Sequence, residues 1–188
     1  ATSDEDNHYI SMDYENATVT DINGETRQFV PAEYSIKNDL YSQNQIDFID
    51  KYLNNLFKIV YEACENGKYY KFDENYDLVD SDVTTAEEAV SNVMDIDSVR
   101  DMYILYEIVH DYDCGEGSFY MCVDFSKDSK CPKLKFTSPW DFNWAYNDST
   151  EKYYAGAFTD KNFVAKKGDR SNPWFIILCK QDWFMATV

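Results

Sequence analysis

Asp97-Ser98-Val99-Arg100-Asp101-Met102-Tyr103-Ile104-Leu105-Tyr106-Glu107-Ile108-Val109-His110 runs into Asp111-Tyr112-Asp113, and two strand-like runs follow from Ser118. Apolar residues occupy almost every side of the first segment, which predicts a central buried helix capped by Asp97 and running from Ser98 to about His110. Ser118-Phe119-Tyr120-Met121-Cys122-Val123 and Lys133-Leu134-Lys135-Phe136-Thr137 flank the turn formers Ser126-Lys127-Asp128-Ser129. The second run alternates Lys with Leu or Phe, the period of a half-buried strand, so the pair predicts a hairpin. The chain leaves it through Pro139-Trp140-Asp141-Phe142-Asn143-Trp144-Ala145-Tyr146. A hairpin returns the chain to where it started. The acidic loop before it and the acidic segment after it are therefore expected at one mouth of the domain.

Outward from this centre, residues 1–40 read as a β-rich entry segment and 41–188 as a helical and hairpin region. In the first part, Ala17-Thr18-Val19-Thr20 and Thr26-Arg27-Gln28-Phe29-Val30 are separated by the turn former Ile22-Asn23-Gly24. Tyr34-Ser35-Ile36-Lys37 predicts a further short strand. A long helix follows: Ser42 and Gln45 have capping-box spacing, and Ile46, Ile49, Leu53, Leu56, Phe57, Val60 and Cys64 keep one apolar stripe. Gly67 supplies its stop. Residues 68–82 read as a polar connection, and Thr84 with Glu87 is expected to cap a second helix reaching Val93. Residues 147–170 read as a long polar connection, and Ser171-Asn172-Pro173 opens a last helix with Pro in its first turn. The fold class is α+β, one domain or part of one within 1–188.

The 188 residues suffice to bury about 68–70% of the unfolded surface without a staple. A net charge of −18 disfavours nucleic acid and anionic membrane as partners and suits divalent cations, neutral sugars or basic polypeptides. No run approaches the ~20 apolar residues of a membrane helix. The polar, acidic start Ala1-Thr2-Ser3-Asp4-Glu5-Asp6 is not a targeting segment, and Trp183-Phe184-Met185-Ala186-Thr187-Val188 reads as an ongoing amphipathic run. The chain is therefore expected to be a piece of a larger protein. Five cysteines without CxxC spacing disfavour zinc. The expectation is reduced, mostly buried thiols, with a Cys122–Cys131 bridge as the alternative.

The candidate chemistry lies at the two acidic ends. A carboxylate beside apolar residues costs free energy unless a donor or cation meets it. Asp113 and Asp141 suit a division of labour in which one handles a hydroxyl proton and the other holds a divalent metal against phosphate oxygens. Ser118 follows Asp113 by five residues, the gap between the Asp and the metal-contacting Asn of protein-kinase catalytic loops.

These residues carry a resemblance. Asp95-Ile96-Asp97 through Glu107, then Asp113, Ser118-Phe119-Tyr120-Met121 and Pro139-Trp140-Asp141-Phe142-Asn143-Trp144-Ala145-Tyr146 resemble the CotH family of spore-coat-protein-H-like atypical kinases. Ile36-Lys37-Asn38-Asp39 and the stretch from Trp174 to Phe184 extend the likeness, which spans roughly Tyr9 to the end. It implies a protein-kinase-like C-terminal half, ATP with Mg²⁺ or Mn²⁺, and phosphoryl transfer to a Ser or Thr of a protein in an extracellular or cell-surface bacterial setting. By position it makes Asp113 catalytic, places Ser118 at the cofactor, and gives the metal Asp141 and Asn143. Asn143 stands where the family usually has Asp, Ser118 where kinases commonly have Asn, and the nucleotide-gripping N-terminal part has no counterpart here.

Other readings compete. A non-catalytic extracellular binding module of a secreted multi-modular protein is the alternative function. A glycoside hydrolase using Asp113 and Asp141 is a third, requiring carboxyl separations of ~5 Å or ~6.5–9.5 Å. Asp73, Asp77, Asp80 and Asp82 lack EF-hand order and read as a solvated loop. Glu107 is expected to find a structural partner, His110 to sit against a helix dipole, and Trp140 and Trp144 to be core.

Overall fold

The computed structural model describes residues 8–12, 17–20, 26–28, 32–109, 117–145 and 172–188. Four short strands open the chain: β1 (His8–Met12), β2 (Thr18–Thr20), β3 (Thr26–Gln28) and β4 (Ala32–Ile36). They pair antiparallel as a nested set, β1 with β4 and β2 with β3, so the two runs expected to form a hairpin do pair, inside an outer pair; Asn23 and Gly24 lie outside the described residues. Ile10, Met12 and Ala17 point inward and are buried.

Helix α1 (Gln43–Asn66) is the backbone of the core. Its stripe buries Leu53, Leu56, Phe57, Ile59 and Val60, and Tyr61 reaches sideways to hold β2. The Tyr61 hydroxyl donates to Thr18 O at 2.6 Å and accepts from Thr18 N–H at 2.9 Å. Gly67 ends the helix at φ 63°, the left-handed conformation that a residue without Cβ adopts at low cost. The start differs from the capping box: Ser42 makes no side-chain cap bond, and Gln45 Oε1 accepts instead from Tyr41 N–H at 2.7 Å.

Residues 68–82 fold as a hairpin rather than a loop, with β5 (Tyr70–Phe72) paired to β6 (Leu78–Asp80). Asp73 closes its turn, accepting from Asn75 N–H and Asp77 N–H at 2.8 and 2.9 Å. Asp77 pairs with Lys51 and Asp82 with Lys71, so these acids are committed to structure.

Helix α2 (Ala86–Val93) has Thr85 as its cap, one residue later than expected. Thr84/Glu87 and Thr85/Glu88 both fit the sequence pattern. The second register turns Ala89, Val90 and Val93 inward, and burial decides.

Helix α3 (Ile96–Val109) begins earlier than expected, with Asp95 Oδ1 accepting from Ser98 N–H at 3.4 Å, while Asp97 pairs with Arg100. It is one-sided rather than buried all round. Val99, Met102, Tyr103 and Tyr106 face the core, and Ile108 is 63% exposed.

Strands β7 (Tyr120–Cys122) and β8 (Lys135–Thr137) form the expected hairpin, with Leu134 and Phe136 buried. Helices α4 (Pro173–Leu178) and α5 (Asp182–Met185) end the chain. Asn172 caps α4 by accepting from Trp174 and Phe175 N–H, and all of α4 is buried. The Trp174 indole N–H donates to the Tyr34 hydroxyl at 3.0 Å, joining this buried helix to β4. The architecture is α+β, with helices packed against small antiparallel strand pairs. No helix among the described residues is long and apolar enough to cross a membrane.

Candidate functional site

The β7–β8 hairpin is positioned from its loop end by a knot of bonds at the α2–α3 junction, made where the chain enters β8. Asp95 N–H donates to Leu134 O and Leu134 N–H donates to Val93 O, both at 2.9 Å. The Ser98 hydroxyl donates to Asp95 O at 2.7 Å and accepts from Phe136 N–H at 3.2 Å. This fixes β8 against the start of α3, and with it the segment that carries Asp141. In the loop that closes the hairpin, Asp124 accepts from Ser126 N–H, which holds its carboxyl below the usual range.

Tyr120 pairs with Thr137, so Ser118 and the residues after Ser138 leave the same end of the hairpin. Each candidate is followed directly by a phenylalanine that anchors on α3. The Phe119 and Phe142 rings lie 6.3 and 5.9 Å from the ring of Tyr106, which is fully buried. One tyrosine thus brings together the backbone at Ser118 and at Asp141.

Four non-glycine residues among those described have positive φ: Tyr76, Ser118 (48°), Ser138 (54°) and Asp141 (59°). Three of the four sit at this hairpin end. Left-handed backbone at residues other than glycine carries strain that surrounding structure must hold, and such residues cluster at binding and catalytic sites. Here the held conformation turns Phe142 inward and leaves Asp141 exposed as the cap of a single 3₁₀ turn, Phe142–Trp144.

Asp141 and Asn143 are both exposed, and neither makes a hydrogen bond or ion pair with another described residue. A carboxylate and an amide oxygen two residues apart form a hard oxygen donor set. Mg²⁺ is commonly held through one or two carboxylates, with water and phosphate completing its shell. The pair fits that demand, although no group of three His, Cys, Asp or Glu among the described residues forms a ready cage. Ser118 is half-buried at the same end. Asp113, His110 and Asp111 lie outside the described residues, as does the Asp113–Asp141 separation.

Trp140 corrects an expectation. It is 59% exposed rather than core, set edge-on to Tyr120 with ring centroids 6.4 Å apart. Pro139 and the left-handed residues on either side swing it outward while Phe142 takes the inward position. Among the described cysteines, Cys64, Cys122, Cys131 and Cys179 are free thiols, and Cys131 donates weakly to Asp95 at 3.8 Å. Tyr106, Phe119 and Phe142 are the positioning residues that sequence reading passed over. Their signal was present: a polar candidate followed at once by Phe, twice.

In comparisons with known proteins, no family model, curated protein or solved structure matches this chain.

Proposed function

We propose that the chain carries the catalytic-loop half of a CotH-like, protein-kinase-like phosphotransferase, with its metal–nucleotide site at the open end of the β7–β8 hairpin. The observation that carries this reading is the gathering of Ser118, Ser138 and Asp141, all left-handed, around a hairpin end anchored on Tyr106, with Asp141 and Asn143 exposed and without partners among the described residues. Asp141 and Asn143 are the residues to hold Mg²⁺ or Mn²⁺, which when bound neutralises charge on the ATP phosphates. Ser118 offers a hydroxyl at the same edge. Asp113 is assigned to orient the acceptor Ser or Thr hydroxyl and to take its proton. The neutral amide at 143 lowers the charge of the donor set, so metal affinity in the absence of nucleotide is expected to be weak.

The alternative, a non-catalytic extracellular binding module, is favoured by the exposed Trp140 beside Tyr120, a ledge suited to stacking on a sugar ring or peptide side chain.

Calorimetric titration of Mg²⁺-ATP and Mn²⁺-ATP into the chain separates the two readings. Metal-dependent binding that disappears in Asp141→Ala and weakens in Asn143→Ala supports the kinase-like reading. No heat in the parent chain, or heat that survives Asp141→Ala, removes the nucleotide site from this hairpin end and leaves the binding module.

A further inference from the structure

Glu107 is half-buried where the other carboxylates of α3, Asp97 and Asp101, are exposed, and the site above makes no use of it. It sits one turn after Tyr103, on the side of the helix that meets the end of α4. Its Oε1 is buried and has no hydrogen-bond partner among the described residues. The Tyr103 hydroxyl hydrogen-bonds the Glu107 carboxyl and also meets the Cys179 thiol at the C-terminal cap of α4. Three titratable side chains from two elements thus share one buried junction, with Tyr103 in the middle.

We propose that Tyr103, Glu107 and Cys179 form a proton-operated latch between α3 and the C-terminal α4–α5 segment, shut while Glu107 carries its proton and loosened when that proton leaves. The chemistry of the junction decides the direction. A neutral Glu107 needs only one or two ordinary hydrogen bonds, which Tyr103 can supply or accept. An ionised Glu107 puts a charge where one buried oxygen has no donor among the described residues, and a buried charge without donors is costly. Parting of the segment admits water to that oxygen.

The groups facing Glu107 do not cancel this. From α3 it meets Tyr103, and from the end of α4 it meets Cys179; burial pushes both above their ordinary values, so both stay neutral through the physiological range. On α5, Phe184 turns an uncharged ring toward Tyr103. Among the described residues no cation acts on the Glu107 carboxyl.

Burial, opposed by the Tyr103 bond, pushes that carboxyl from its usual 4.5 up to about 7. The sign follows. The folded chain keeps a proton that the unfolded chain gives up near 4.5, so the junction's full stability is present below that value and is lost as pH rises through about 7.

The test is thermal unfolding of the full chain from about pH 5.5 to about pH 8.5, together with amide hydrogen exchange across residues 173–185 corrected for intrinsic rates. The parent is compared with Glu107→Gln, a neutral side chain of the same shape. In the parent, the melting midpoint falls with pH and opening of α4–α5 rises at least about tenfold. Both changes flatten in Glu107→Gln. Tyr103→Phe, which removes the one donor to the ionised carboxylate among the described residues, moves the midpoint of the pH transition to higher pH while keeping the transition. An equal pH slope in parent and Glu107→Gln overturns the proposal, as does loss of the transition in Tyr103→Phe. Neither readout depends on nucleotide, so the latch stands or falls separately from the proposed function.

Discussion

Two acidic turns of this protein look alike in sequence and differ in what their carboxylates do. In the β5–β6 hairpin the left-handed residue and three of the acids are answered within the fold. Asp73 takes two backbone N–H groups, Asp77 and Asp82 pair with Lys51 and Lys71, and left-handed Tyr76 is held by a bond from Asn55 to its carbonyl and by the rings of Phe48, Tyr52 and Phe72. At the β7–β8 end the strain is held from below, by Phe119 and Phe142 on Tyr106, while Asp141 and Asn143 above it find no partner among the described residues. Density of acids therefore does not mark a site. A strained backbone that holds polar groups away from every internal partner is the more telling sign.

The sharpest way to break this contrast is to remove the shared anchor. Tyr106→Ala is expected to cost about 3–5 kcal/mol in denaturant unfolding, because a fully buried aromatic is lost from beneath both halves of the hairpin end. A loss near zero would mean that Tyr106 does not hold the site together. Next in size, Asp73→Ala should destabilise by about 1–2 kcal/mol, since two turn N–H groups lose their acceptor. Asp141→Gly should do the reverse. Glycine relieves the left-handed strain, so stability rises by about 0.5–1 kcal/mol while metal-dependent ATP binding disappears. If Asp141→Gly destabilises the fold, Asp141 has a structural partner and the contrast between the turns collapses. The smallest effect belongs to Lys51→Ala. An exposed pair with Asp77 contributes at most about 0.5–1 kcal/mol, and high salt should remove the difference from the parent.

Much of the fold was legible in the residues. The stripe of α1 with its Gly67 stop, Asn172-Pro173 at the start of α4, the β2–β3 pair and the β7–β8 hairpin were all readable, because each rests on local periodicity or cap chemistry. The β5–β6 hairpin was hidden by its charges, although Tyr69-Tyr70-Lys71-Phe72 before an Asp-led turn was its signal. The cap of α2 slipped by one residue because two registers satisfy the same pattern. In α3, the composition predicted burial on all sides, yet Ile108 faces solvent, since a helix at the edge of a core buries one face however apolar the other is. Trp140 was read as core for the same reason and is exposed.

At the candidate site, the residue types and their order were available from sequence: Ser118 before the hairpin, and Asp141 and Asn143 after it. The sequence by itself determined the α+β composition, the helix and hairpin order and the surplus of acid, because these follow from spacing and counting along the chain. Only the tertiary structure decided which acids are spent and which remain. That depends on whether a lysine, a backbone N–H or a buried tyrosine from a distant segment arrives beside each one. Lys51 reaches Asp77, and Tyr103 of α3 meets Cys179 at the end of α4. Such meetings are set by packing of the core and not by neighbours in the chain.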